Sequence, residues 1–353
     1  MEDKAVDIRE GEELDKEKVR AFLEENVGSV EGELEIKQFP GGFSNLTYLL
    51  KDNTKEMVLR RPPKGADIKS AHDMGREYKI LSALKPLFPY CPEPLAYTED
   101  ESVLGCPFYI MEKIQGIILR KELPGGLSIK PEQADKLCKT LLDVHVELHS
   151  IDVEKNNLSF LGKPEGYVKR QVEGWSRRYE NAKTEDAPAF KQVMEWLKDK
   201  MPEDTKSPSI IHNDYKFDNV VLDKNNPMKI IGVLDWEMAT YGDPLMDLGS
   251  SLGYWIDRND PDEFKMLKTM PTDIDGALTR QEMIERYGEK TGLNMDKFDF
   301  YLCFGTFRLA VIAQQIYKRF YLGYTKDPRF GMLIHAVNIL EKVSNSIIDK
   351  SRI

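Results

Sequence analysis

One stretch of the 353-residue chain concentrates groups that can do chemistry. Residues 210–223 read Ile-Ile-His-Asn-Asp-Tyr-Lys-Phe-Asp-Asn-Val-Val-Leu-Asp, with His212, Asp214, Lys216, Asp218 and Asn219 enclosed by apolar residues. That pattern predicts a polar loop between short buried strands rather than one amphipathic element. A second apolar run, residues 230–234, ends at Asp235. Two carboxylates and an amide, Asp214, Asp235 and Asn219, would then stand at the ends of neighbouring strands. Hard oxygen donors of this kind suit Mg²⁺, which keeps water and substrate phosphate in its remaining positions. Taken singly, each residue fits a polar turn in which Asp and Asn bond the backbone. The set, in this order, does not.

The spacing resembles the aminoglycoside phosphotransferase family, the small-molecule branch of the protein-kinase-like fold. Its catalytic loop reads His-x-Asp with an Asn five residues after the Asp, which His212, Asp214 and Asn219 match. Its metal-binding Asp follows a short strand, as Asp235 does in Leu234-Asp235-Trp236-Glu237. Protein kinases carry Phe-Gly after that Asp, and Trp236-Glu237 stands there in this chain. The resemblance covers residues 30–340. Segments 41–48, 58–63 and 212–219 look most like the kinase-like domain fused to acyl-CoA dehydrogenases in animals. The resemblance implies an α+β, two-lobed protein-kinase-like fold, with a small antiparallel-sheet N-lobe and a larger, mainly helical C-lobe. It also implies ATP- and Mg²⁺-dependent transfer of the γ-phosphate to a hydroxyl of a small molecule. Asp214 would be the catalytic base, and Asn219 and Asp235 the metal ligands. The acceptor would be a hydroxy acid, a hydroxyacyl-CoA or an aminoglycoside-like compound.

The elements that must position these groups are legible as strands and helices. Residues 12–27 carry Val19, Phe22, Leu23 and Val27 at helical spacing, and Gly28 stops the run. Two strand-like runs, 34–39 and 46–50, flank Pro40-Gly41-Gly42. Glycines let backbone N–H groups approach phosphate oxygens closely. By resemblance Gly41, Gly42, Ser44 and Asn45 would cover the nucleotide phosphates. The next strand, 57–61, ends in Arg60-Arg61. Kinases place a Lys here that bridges phosphate and a helix Glu. Arg60 takes that position in register with Val58, and Glu77, on a helix over 70–84, is its expected partner. The alternative is a pair of solvated arginines at a strand end. After a Pro-rich connection, residues 108–116 read as a buried strand ending in a flexible segment; the resemblance makes this the hinge, where the backbone at Glu112 and Ile114 would receive the adenine.

We expect an N-terminal helical extension at 1–27, an N-lobe at 28–113 and a C-lobe at 114–353. Residues 131–150 form a helix with Ala134, Leu137, Cys138, Leu141, Leu142, Val144, His145 and Leu148 inward. His145 and His149 lie four apart, as a metal pair can, but the apolar surroundings favour core or capping roles. The segment 169–179 mixes Lys169, Arg170, Arg177 and Arg178 with Trp175 and Tyr179. It reads as an amphipathic helix with a solvated face or as a wall for an anionic acceptor. The acidic stretch 255–275 pulls toward a cationic one. Arg308 and Lys318 fall on an apolar helix and can face the pocket. Asp243 before Pro244 suits a helix cap, and the resemblance implies that Asp247 braces the catalytic loop.

Composition narrows the class. Hydrophobic content of 41% and charged content of 31% describe an ordinary globular protein. The net charge of −10 argues against a nucleic-acid partner, which selects a basic face. No apolar run reaches the length of a membrane helix. Four scattered cysteines and an acidic first stretch with no signal peptide point to reduced thiols in the cytoplasm. The competing reading is a nucleotide-binding pseudokinase acting as a regulatory module. Arg60 in place of the usual Lys is its support.

Overall fold

The computed structural model describes residues 5–40, 45–63 and 73–353. In chain order the first elements are α1 (Lys16–Asn26), β1 (Glu35–Gln38), β2 (Leu46–Lys51), β3 (Glu56–Arg61), α2 (Met74–Leu84), β4 (Pro94–Thr98), α3 (Glu101–Leu104) and β5 (Phe108–Glu112). Then come α4 (Pro131–His149), α5 (Tyr167–Ala182), α6 (Lys191–Asp199), β6 (Ser209–Ile211), β7 (Val220–Leu222), β8 (Ile230–Val233) and β9 (Thr240–Gly242). The remainder is helical: α7 (Pro244–Leu252), α8 (Asp262–Lys265), α9 (Arg280–Thr291), α10 (Phe298–Tyr321), α11 (Pro328–Gly331) and α12 (Leu333–Lys350). The chain divides into two compact units. One comprises Met1–Ile118 with Asn219–Ala239, the other Leu119–Asp218 with Thr240–Ile353. A small antiparallel sheet in one and a predominantly helical body in the other make the α+β, protein-kinase-like division that the sequence predicts.

The first unit is built on a five-stranded antiparallel sheet in the order β1-β2-β3-β5-β4. Alternation sends Tyr48, Leu50, Met57, Leu59, Phe108 and Ile110 to one face, where they form a core with Val19, Phe22 and Leu23 of α1. Burying each such side chain contributes about 1.5–3 kcal/mol. The helix begins at Lys16 rather than at residue 12 because Asp15 caps it, accepting from the Glu17 and Lys18 amides. The edge strand β4 lies in what reads by sequence as a Pro-rich connection. An edge position tolerates Pro94 at the strand start, since no ladder N–H is needed there. On β3, Arg60 takes the face opposite Leu59. Neither arginine is solvated: Arg60 is 8% and Arg61 3% exposed. Arg61 stacks 5.6 Å from the Tyr48 ring centroid and donates to the Glu12 carbonyl. The hairpin β7–β8 completes the unit.

In the second unit α10 is apolar on most of its surface, as a central helix must be. It crosses α7 at two facing glycines. A Cβ on Gly305 would run into the Gly249 carbonyl, and one on Gly249 into Tyr301, so only glycine permits this approach. Asp243 caps α7 through the Leu245 amide at 2.8 Å, with Pro244 in the first turn. The two-stranded ladder β6–β9 sets Ile210 and Ile211 in the core directly before His212. Among the described residues no helix is long and apolar enough to cross a membrane.

Candidate functional site

In the first unit the hairpin β7–β8 carries two of the expected ligands. Val220 pairs with Val233, and the Leu234 amide donates to the Asn219 carbonyl at 2.8 Å. Asn219 and Asp235 therefore flank the same end of one hairpin. Asp235 has left-handed backbone angles, φ 68° and ψ 63°, which Asp tolerates better than most residues. Trp236 locks the turn: its ring is buried beside Phe88 and its Nε1–H donates to the Val233 carbonyl at 2.8 Å. The Asp235 side chain keeps 38% of its surface exposed. A half-open carboxylate beside an amide is a donor set that suits a hard dication.

Arg60 is the hub of this cluster. Its Nη1 donates to Glu77 Oε1 at 2.6 Å, and its two terminal nitrogens reach Asp235 Oδ1 at 3.3 and 3.2 Å. Nη2 also donates to Glu237 Oε2 at 3.2 Å, which accepts from Asn45 Nδ2 at 2.9 Å. Burial alone would lower the Arg60 pKa. Glu77, Tyr109, Asp235 and Glu237 outweigh it and hold the guanidinium well above its ordinary value. Burial pushes the Glu77 carboxyl up, against the pull of Arg60. One permanent cation thus serves three carboxylates. At the end of β5, the Glu112 side chain turns to Lys85 and the Glu93 amide, and its own N–H goes to the Glu93 carbonyl. The Ile114 side chain lies against Gly232 of β8. Gly41, Gly42 and Ser44 lie outside the described residues.

The second unit holds the loop that carries Asp214. Asp247, fully buried on α7, accepts the His212 amide on Oδ2 and the Asn213 amide on Oδ1, both at 2.7 Å. Two imidazoles of α4 reach the same Oδ2, His145 Nε2 at 3.0 Å and His149 Nε2 at 3.1 Å. These three could hold a metal by geometry, but here the imidazoles serve as donors to the brace. His145 also stacks on Tyr215, whose hydroxyl donates to the Leu141 carbonyl. Asn213 sits at φ 65° with its side chain accepting from Tyr167 Oη at 3.1 Å. Asp214, so presented, accepts from Lys216 Nζ at 2.5 Å. Lys216 lies 3.4 Å from Asp218 and over the Tyr254 ring. Burial would lower the Lys216 pKa, but Asp214 and Asp218 overcome it and keep the amine charged. A carboxylate with one fixed cation beside it can orient a hydroxyl and take its proton.

The sequence singles out Asp214, Asn219, Asp235, Arg60 and Glu77, shows Lys216 in the polar loop without giving it a role, and does not single out Glu237. Each of the last two stands two positions from a named one, and a charged residue at that offset in a polar turn was the available signal.

The sequence profile of the phosphotransferase enzyme family matches residues 35–277. Acyl-CoA dehydrogenase family member 11 of Homo sapiens is 33% identical over 317 residues, covering 88% of this chain. Member 10 of Mus musculus is 33% identical over 299 residues, covering 83% of the chain. The chain spans only 40% of the first relative and 27% of the second. Among solved structures, a candidate aminoglycoside phosphotransferase from Ralstonia eutropha superposes with a TM-score of 0.80 and 29% identity, over 97% of this chain and 100% of the other. A choline kinase from Cryptosporidium parvum gives 0.61 at 12% identity, over 95% and 98%, which speaks for the fold alone.

Proposed function

The chain belongs to the phosphotransferase enzyme family, and from that premise we propose that it moves the γ-phosphate of ATP to a hydroxyl of a small metabolite. The observation that carries this reading is the presentation of Asp214. Both amides before it are pinned to buried Asp247, and its carboxylate is held by Lys216. Such rigidity is what positioning a nucleophile requires, and positioning with charge neutralisation is most of what phosphoryl transfer asks of a protein.

In this reading Asp214 orients the acceptor hydroxyl and takes its proton. Lys216 stays cationic and holds that carboxylate in place. Arg60, fixed by Glu77, and the segment 41–45 steady the donor phosphates. Asn219 and Asp235 are the residues that would hold Mg²⁺, which supplies charge neutralisation on the phosphates. The hinge at Glu112 and Ile114 takes the adenine through its main chain. Four free thiols fit a cytoplasmic setting. A second reading, a regulatory pseudokinase, draws on the direct contact of Arg60 with Asp235 at 3.2 Å, in the place of the usual Lys.

Two variants separate the readings. Asp214→Asn should keep MgATP binding and lower turnover by ~10²–10⁴-fold. Asp235→Asn should weaken Mg²⁺-dependent nucleotide binding as well, because an amide is a poorer ligand for a hard dication. Calorimetric titration of MgATP, with mass detection of phosphate gain across hydroxylated metabolites, reads both. Near-normal turnover in Asp214→Asn would remove the base. MgATP binding without transfer to any hydroxyl would favour the pseudokinase.

A further inference from the structure

Helix α2 meets the Asp235 turn twice, and the chemistry proposed above draws on only one of the two contacts. Glu77 reaches the turn through Arg60. Its neighbour Arg76 reaches it directly. Arg76 Nη1 donates to the Glu237 carbonyl at 3.1 Å, and Nη2 donates to the Ala239 carbonyl at 2.5 Å. Those carbonyls belong to the end of the single 3-10 turn, Trp236–Met238, that follows Asp235. A guanidinium presents its N–H groups as a rigid planar fork, so two acceptors gripped at once are fixed relative to each other. Arg76 is half-buried, and burial pulls its pKa below the ordinary value, against Asp73 and Glu77.

The helix that carries this fork is itself fixed. Asp73 caps α2 and accepts from the Arg76 amide at 2.8 Å. Gly75 lies so close to β4 that a Cβ there would stand 2.5 Å from Tyr97 Oη. Tyr78 stacks on the same ring, with centroids 5.5 Å apart. The turn at the other end of the contact is under load. Asp235 has left-handed backbone angles, which cost free energy in any residue with a Cβ. Arg60 also draws on its carboxylate at 3.2 Å. A dication arriving at Asp235 competes with Arg60. It does not compete with Arg76, which grips only main-chain oxygens.

Resting on the reading of Asn219 and Asp235 as holders of Mg²⁺, we infer that Arg76 is a positioning residue for that site. It fastens the turn behind Asp235 to α2 and so keeps the carboxylate aimed at the cation while Arg60 gives way. Two other roles would leave different traces. A residue that only joins α2 to the turn would change stability and leave metal dependence alone. A charge that only attracts phosphate would change nucleotide affinity equally with and without metal.

The test uses the full chain and titrates β,γ-imido-ATP by calorimetry, once with saturating Mg²⁺ and once with EDTA. The quantity read is the ratio of the two affinities. Arg76→Gln should cut the Mg²⁺-dependent tightening by about tenfold or more, as removing a group that orients a metal ligand does, and leave metal-free binding unchanged. Arg76→Lys keeps the charge but loses the fork, and should fall between that variant and the wild type. Lys79→Gln, on the exposed face of α2, should match the wild type. Thermal unfolding reads stability separately, and Arg76→Lys decides the matter where Arg76→Gln fails to fold. Folded variants with the wild-type ratio overturn the inference, whatever their melting temperature. An equal loss with and without Mg²⁺ overturns it too, and makes Arg76 a phosphate-attracting charge only. A wild type whose affinity ignores Mg²⁺ would sink the metal assignment of Asn219 and Asp235 together with the inference. Mg²⁺-dependent binding that needs Arg76, without transfer from ATP to any hydroxyl, would sink the phosphotransferase reading and leave Arg76 in its role.

Discussion

Both units bury carboxylates, and they neutralise them by different means. In the first, Glu77 is buried and shares a single guanidinium with Asp235 and Glu237. In the second, Asp247 is met by two imidazoles and two main-chain amides. The distances separate their purposes. Arg60 grips Glu77 at 2.6 Å but reaches Asp235 at 3.2 Å, and Asp235 is partly open to solvent. A cation arriving at Asp235 competes only with the weaker of these contacts. Asp247 itself is fully buried and takes four donors at 2.7–3.1 Å, so unlike Asp235 it keeps no side open to an arriving ion. The first cluster is arranged to change partners and the second to hold a loop still.

Breaking the first cluster should have the larger effect. Arg60→Met removes the guanidinium that bonds Glu77 at 2.6 Å and leaves a buried charge without that counter-ion, at a cost of ~3–5 kcal/mol. Adding Glu77→Gln should recover most of that loss, because the stranded charge is gone. Urea unfolding of the two single variants and the double variant measures the coupling. An Arg60→Met protein within 1 kcal/mol of the wild type would show that the hub carries no such load.

Local pattern and long-range assembly were unequally legible. The inward face of α4 follows from helical spacing alone, and the eight residues named from sequence are the ones buried there. The α+β division and the loop motif are also local signals. The partners of Asp247 are not, because His145 lies 102 residues away and His149 lies 98 away. Helical spacing placed His145 inward without saying what it would meet. Arg61 is the clearest miss. Its setting is made by Tyr48 and the Glu12 carbonyl, on other elements, so a strand-end arginine gave no sign of burial.

A second break uses pH. Burial, then His149, holds the His145 imidazole down to about 4, against an ordinary value near 6.5. Between those values the native state binds fewer protons than the unfolded one, so this contribution is lost as pH falls through the window. Asp243 runs the opposite way. Burial raises it to about 6 from 3.8, and its contribution is lost as pH rises toward 6. The two oppose each other between pH 4 and 6. Asp243→Asn keeps a capping side chain for α7 and removes one arm. Relative to the wild type it should lose up to about 3 kcal/mol as pH falls from 6 to 4. His145→Gln should show the opposite difference. Flat difference curves for both, from urea midpoints across pH, would mean that neither group titrates as its surroundings dictate.

The smallest effect sharpens the account of the brace itself. Asp247 Oδ2 is an acceptor, so His149 must carry a proton on Nε2, and in that tautomer of the imidazole Nδ1 is an acceptor. Tyr287 fills that need, donating its hydroxyl to His149 Nδ1 at 2.7 Å. Tyr287→Phe keeps the ring that packs edge-on against His149 and removes only the donor. The expected cost is about 1–2 kcal/mol, that of one buried acceptor left unpaired. The more specific sign is spectroscopic. Nitrogen NMR of His149 should show one tautomer, protonated at Nε2, in the wild type, and a mixture or a shifted Nδ1 resonance in the variant. A brace held chiefly by its amides would lose little turnover. One that depends on imidazole alignment would lose turnover along with the tautomer. An unchanged tautomer together with unchanged stability would show that Tyr287 does not set the imidazole, and that Asp247 alone orders this side of the loop.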